Sequence, residues 1–306
     1  MIWGSLHPIS KQLLEVGLTP TQIALARLTL AALTMLAVAS ATGRLARLAR
    51  LPRRELLAVA LVGLCGYFVS ISLSLRALTY LPAAMNSLLA NTSPLFVALF
   101  APALLHERPT KRALLGLLAG FAGVTVLALS RGTEGGTALV GVLLSLIASA
   151  TWSLYTTLGR WATARLDAVL ITLLSSAVSL PPLAAVALAE GRLEVLLTAP
   201  PAALLRLAWL GVVGTGCTFL IWTAALRRLH AASVSAYSYL IPVVAVVFAY
   251  LLLGEQPTPL FLLGAALTLL GVAAAQTDRR ETGIKSRHVA KKGDARMALM
   301  RKMGRR

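Results

Sequence analysis

Acidic residues are scarce in this 306-residue chain. Eleven Asp and Glu stand against 29 Lys and Arg, a formal net charge of +18, and only 13% of residues carry charge at all. A water-soluble protein has about 25% charged residues, so the shortage excludes a chain that covers itself in water. Cysteine is nearly missing. Cys65 and Cys217 both lie inside long apolar runs, which excludes a disulfide scaffold and argues against a paired-thiol metal site. Four histidines (His7, His106, His230, His288) are scattered without an HExxH pattern, and no glycine-rich phosphate loop occurs. Zinc hydrolysis and ATP-driven pumping are therefore unsupported, and no metal or cofactor is expected. No basic segment precedes the first apolar run, so no cleavable leader is expected. What the chain has in plenty is apolar: 58% hydrophobic residues and a mean hydropathy of +0.79. Its solvent is the bilayer.

A helix crossing the hydrocarbon needs about 20 largely apolar residues. Charge-free runs of that order are Leu56–Leu75, Ala77–Leu105, Ala113–Ser130, Gly135–Gly159, Ala168–Ala189, Leu207–Leu226, Ala231–Gly254 and Gln256–Thr277. Pro20–Gly43 is a ninth, interrupted only by Arg27. Ile2–Ser10 is half a span, cut off by Lys11. Short connections carry Gly17, Pro20, Pro52, Pro82, Pro109, Gly132, Gly135 and Pro257, the turn residues expected between antiparallel helices. The expected fold class is all-α integral membrane, with ten transmembrane helices.

Lys and Arg concentrate in cytoplasmic loops. With ten helices, one side holds Arg44, Arg47, Arg50, Arg53, Arg54, Arg108, Lys111, Arg112, Arg160, Arg165, Arg227 and Arg228, and the other only Lys11, Arg76, Arg131, Arg192 and Arg206. The tail 278–306 adds eleven more basic residues. This bias puts both termini in the cytoplasm of a multi-pass inner or plasma membrane protein. There the tail would meet anionic lipid at about 1 kcal/mol per nearby cation. The charge follows sidedness, so no nucleic-acid partner is expected.

The chain also repeats itself. At an offset of 148, Gly66–Val124 lies over Gly214–Val272 without a gap and 20 of 59 positions are identical. Gly66 falls on Gly214, Ser87 on Ser235, Pro94 on Pro242, Gly116 on Gly264 and Gly123 on Gly271; Glu107-Arg108-Pro109-Thr110 falls on Glu255-Gln256-Pro257-Thr258. At 149, Trp3 falls on Trp152 and Lys11 on Arg160. Residues 1–131 and 132–277 thus form two five-helix halves, and an odd number of crossings turns the second upside down. Inverted halves can exchange conformations around a shared midplane site, the usual build of secondary transporters.

Trp3-Gly4-Ser5 with Lys11, then Leu18-Thr19-Pro20 and Ala26-Arg27, resembles the opening of the EamA-type drug/metabolite transporters. Ala83–Pro94 and the two Glu-x-Pro-Thr ends are similar to that family's repeat ending. The resemblance covers about residues 2–276. It implies two inverted EamA repeats, a cavity lined mainly by helices 1, 3, 4, 6, 8 and 9, and movement, often export, of amino acids or other small metabolites. It also implies a first helix starting about ten residues before the Trp, so helix 1 is expected to be short here.

Residues four apart share a helix face. Trp3, His7 and Lys11 form one stripe; Trp152, Thr156 and Arg160 form its repeat equivalent. Both are candidate substrate contacts, with snorkelling as the alternative for Lys11 and Arg160 and packing for the tryptophans. Ser87 and Asn91 with Pro94, and Ser235 and Tyr239 with Pro242, are further candidate substrate contacts and mark helices 4 and 9 as candidate gates, because each proline frees a carbonyl, with a static packing kink as the alternative. Ser70 and Ser74, with Thr218 and Trp222, add a third pair. Glu107 and Glu255 are expected as structural anchors capping neighbouring helices. Arg27, roughly 10 Å down its helix at 1.5 Å per residue, is expected to snorkel or to pair with Glu15, since helix 2 lies outside the cavity-lining set that the resemblance implies. All eleven acids fall in loops, helix ends or the tail, so no midplane carboxylate is available for ion coupling. The leading expectation is a non-enzymatic secondary transporter. A receptor or scaffold without transport is the alternative, and a membrane-embedded enzyme lacks the clustered His, Asp, Glu or Ser it would need.

Overall fold

The computed structural model describes residues 2–48, 52–96, 99–100, 111–130, 135–163, 167–191, 194–218, 221 and 240–274. The described residues contain no strand. Their main helices are α1 (Ile2–Glu15), α2 (Pro20–Ala41), α3 (Arg53–Ala77), α4 (Ala83–Ala90), α5 (Lys111–Leu129), α6 (Gly135–Thr163), α7 (Ala168–Glu190), α8 (Pro201–Cys217), α9 (Leu240–Leu253) and α10 (Pro259–Ala274). Two single turns lie at Leu45–Leu48 and Glu194–Leu197. Four helices (α2, α3, α7 and Gly136–Tyr155 within α6) are long and apolar enough to cross a membrane; the apolar stretches in α5, α8, α9 and α10 are shorter. Leu33, Leu61, Leu118, Leu139, Leu205 and Leu251 are exposed. In water such a surface would aggregate; in lipid it is the solvated one.

The helix ends follow from local chemistry. Thr19 caps α2 through a reciprocal capping box with Gln22, and Pro20 sits at the first helical position, where its missing N–H is harmless. Asp167 caps α7 by accepting from Val169 N and Leu170 N. Gly43 and Gly191 follow these helices with φ of 65° and 67°, the left-handed conformation that glycine adopts without penalty. Charge counting starts the run Leu207–Leu226 at Leu207, yet α8 begins at Pro201, because Pro at the helix start outweighs the single Arg206. The run Ala77–Leu105 is not one continuous helix. Pro82 starts α4, the chain turns at Asn91–Thr92, and helix resumes at Ser93–Phe96.

Packing interleaves the two ends of the sequence. Early helix α1 packs on late helices α8 and α9; middle helix α6 packs on α3 and α4; α2 lies along α7 and α8. Positions 148 or 149 apart make matching contacts. Gly63 abuts Ser175 as Gly211 abuts Arg27 and Leu30; Gly66 abuts Tyr155 as Gly214 abuts Leu6. The third helix of each half, α3 at Leu64–Ser70 and α8 at Trp209–Cys217, is π-helical there.

One crossing fixes a direction. Gly120 meets Gly271, Gly123 meets Thr268 and Leu127 meets Gly264, backbone against backbone. As the number rises along α5 it falls along α10, so these repeat-equivalent helices run antiparallel. Small residues permit this approach, the usual device of helix contacts in lipid.

Ionic contacts gather in separate places. Asp167 faces Arg44 at 3.5 Å and Arg47 at 3.7 Å. Glu190 accepts from Thr19 and Thr21 and faces Arg76 at 3.7 Å.

Candidate functional site

A polar chain threads the centre of the packed helices. His7 of α1 lies with Nε2 3.3 Å from Ser74 Oγ of α3. Asn86 of α4 donates through Nδ2 to Ser74 O at 3.0 Å and to Ser74 Oγ at 3.3 Å. Ser145 of α6 donates to Asn86 Oδ1. Four helices from both halves of the sequence are thus tied through groups that lipid cannot satisfy. The Nδ1 of His7 is sealed from the surface and meets no partner among the described residues. Ser87 Oγ is likewise buried without a partner among them.

Beside this chain stands an aromatic trio. Trp152 and Tyr155 of α6 have ring centroids 4.9 Å apart; Tyr67 of α3 is 5.5 Å from Tyr155, edge to face, and 6.4 Å from Trp152. These separations are those at which aromatic pairs attract. Gly66 makes the approach possible, since a Cβ there would overlap the Tyr155 ring.

Arg27 reaches inward. Its Nε donates to Thr215 Oγ1 of α8 at 2.7 Å. Glu15, the acid considered for it from the sequence, is exposed at the end of α1 and forms no ion pair with it. The reason is geometric: the π-helical stretch of α8 brings Thr215 against α2, which no local spacing reveals.

The other sequence-chosen residues divide by what their polar atoms already hold. Lys11 Nζ donates to Leu78 O at 2.6 Å and Leu81 O at 3.2 Å, at the C-terminal end of α3, where a cation meets the helix dipole. Ser70 donates to Ala148 O at 2.7 Å, joining α3 to α6. Asn91 donates to Ser87 O of its own helix at 2.8 Å. Trp3 packs half-buried against the core, and Trp152 belongs to the aromatic trio. Glu255 accepts from Ala83 N at 2.6 Å and Ala84 N at 3.1 Å, holding the N-terminus of α4 from a distant segment. Pro94 lies just past the turn that ends α4, and Pro242 is buried near the start of α9. The carbonyl of Ala90, which Pro94 cannot serve, accepts from Ser149 Oγ at 3.3 Å. Glu107, Trp222, Ser235 and Tyr239 lie outside the described residues, as do the side chains of Thr156 and Arg160.

Tyr67, Asn86, Ser145, Tyr155 and Thr215 were not singled out from the sequence. Asn86 carried a signal, being an amide inside a charge-free run; a tyrosine there is equally consistent with packing.

Comparison with known proteins gives a concordant result. The EamA-like transporter family matches residues 1–129 and 139–275. A protein of Streptantibioticus cattleyicolor named "Probable terminal-alkyne amino-acid exporter" is 33% identical over 274 residues, 88% of each chain. An uncharacterized transporter of Archaeoglobus fulgidus is 30% identical over 221 residues, 71% of this chain and 75% of its own. The transporter YvbV of Bacillus subtilis, also uncharacterized, is 27% identical over 279 residues. A solved crystal structure superimposes with a TM-score of 0.57 at 23% identity, covering 91% of this chain and 96% of that one, a likeness of fold.

Proposed function

This chain belongs to the EamA-like transporter family, and we propose that it is a secondary transporter that exports small metabolites such as amino acids by alternating access. In this reading ten helices cross the membrane as two inverted halves, residues 1–131 and 132–277, with both termini cytoplasmic and the basic tail 278–306 against the inner leaflet. The antiparallel register of α5 on α10 carries the reading: repeat-equivalent helices that run in opposite directions are what inversion requires. The matched glycine contacts at 63 and 211 and at 66 and 214 support the same relation. Amino acids enter through the name of the Streptantibioticus relative. Trp3, His7 and Trp152 are the first residues to alter, since His7 belongs to the central polar chain, Trp152 to the aromatic trio, and Trp3 lies one turn before His7 on α1.

An untargeted comparison of metabolites inside and outside cells, with and without the protein, tests the function. Small polar metabolites should accumulate outside when it is present, and substitution of Trp3, His7 or Trp152 should change that export while folded protein persists. If purified protein in liposomes moved nothing across a broad metabolite set, a receptor or scaffold would replace the transporter.

A further inference from the structure

We infer that Arg27 is the binding residue for an anionic group, a carboxylate or its equivalent, on the transported molecule; the inference rests on the transport reading and names the class of substrate. The starting point is an unbalanced charge. Arg27 sits within α2 and its burial is partial. A guanidinium carries five N–H donors in a fork suited to a carboxylate. Nε is engaged with Thr215, but no acceptor among the described residues meets the four terminal N–H groups, and no described carboxylate lies within ion-pair distance. The terminal nitrogens are not among the polar atoms sealed from the surface. The sequence offers no acid that could compensate from a span, because all eleven fall in loops, helix ends or the tail.

An uncompensated cation within a membrane helix is costly, and such residues mark substrate pathways. Its surroundings fit that role. Thr215 aims the side chain away from its own helix, and α2 packs on α1, which carries His7, and on α3, which carries Tyr67. They connect it to the polar chain on one side and to the aromatic trio on the other. A molecule with its anionic group at Arg27 would lay its apolar part toward Tyr67, Trp152 and Tyr155. The repeat partner of Arg27, 148 positions on, is Ser175, buried and uncharged, so only one half of the molecule supplies this cation.

The test is the metabolite comparison run on wild type, Arg27→Gln, Arg27→Lys and Thr215→Val, each first shown monodisperse by size exclusion. The metabolites that wild type exports should share an anionic group, and Arg27→Gln should slow their export about tenfold to a hundredfold, the range for losing a charge-assisted hydrogen bond. Arg27→Lys should retain part of the rate. Thr215→Val, which removes the hydroxyl that aims the guanidinium, should slow export by less than Arg27→Gln does. An exported set that is neutral or cationic overturns the inference. So does export by Arg27→Gln at the wild-type rate, or a Thr215→Val defect as large as that of Arg27→Gln, which would make the arginine a brace for α8. Should Arg27→Gln fail to fold, the chemistry of the wild-type exported set decides alone. Exchange of an exported acid in vesicles of phosphatidylcholine alone should persist; a requirement for added phosphatidylglycerol would give the guanidinium to a lipid headgroup and overturn the inference. If wild type moves nothing, the transport reading falls first, an outcome distinct from transport without discrimination.

Discussion

The two halves of the chain share a scaffold and differ in chemistry. Where a glycine lets a neighbouring helix close in, at Gly63 and Gly211 and at Gly66 and Gly214, the contacts of one half are found again in the other. Where a polar side chain reaches the interior, the halves part. Tyr67 corresponds to Thr215, Arg27 to Ser175, and His7 of the first stripe to Thr156 of the second. The duplication keeps the small residues that close the helices together and varies these interior polar positions. Symmetry here belongs to packing, and its violation to the polar interior.

The comparison is most open to breaking through sidedness. Arg108 and Gln256 are repeat equivalents, so in a variant lacking Cys65 and Cys217 the changes Arg108→Cys and Gln256→Cys should label from opposite sides with an impermeant maleimide. Equal labelling of both from outside intact cells would end the inverted relation. Next comes the α5–α10 crossing. Gly271→Ala forces a Cβ into the Gly120 backbone, which cannot yield, and should destabilise by about 1–3 kcal/mol or prevent folding. Gly136→Ala, with open space around it, should be neutral in the same detergent thermal-stability assay. A finer contrast sets Gly66→Ala against Gly214→Ala. The first presses on the stem of a packed Tyr155 ring, the second on the flexible end of Leu6, so the melting temperature should fall further for Gly66→Ala. A smaller effect belongs to Ser149→Ala, which removes the contact with Thr92 and leaves the Ala90 carbonyl unserved where Pro94 has already removed a donor; about 0.6–1 kcal/mol is expected.

Much of the scaffold was legible in the sequence because its signals are local or periodic. Thr19-Pro20 with Gln22 announces a helix start, and the glycines recurring at 148 announce the duplication. The site was less legible, because its links are long. Arg27 finds Thr215 188 positions away, and His7 finds Ser74 67 positions away. Neither spacing is a helical period, so a search for shared faces proposes Lys11 and Asn91 as readily as His7. In the structure Lys11 and Asn91 turn to backbone carbonyls instead. Asn86, adjacent to Ser87, escaped notice because one-face counting passes over its neighbour. The turn at Asn91–Thr92 was implicit in Pro94, although its exact place depends on Thr92 and Ser149 meeting across α4 and α6.

The corner between α3 and α4 is gripped from both sides by charges that belong to neither helix. Lys11 holds the carbonyls where α3 stops, and Glu255 holds the amides where α4 starts. Each charge is opposite in sign to the dipole end it touches, so both contacts attract. This corner therefore cannot swing alone: any excursion must either snap both clasps or drag the neighbouring ends of α1 and α9 along with it. A single hinge is thereby converted into a linkage of four moving parts.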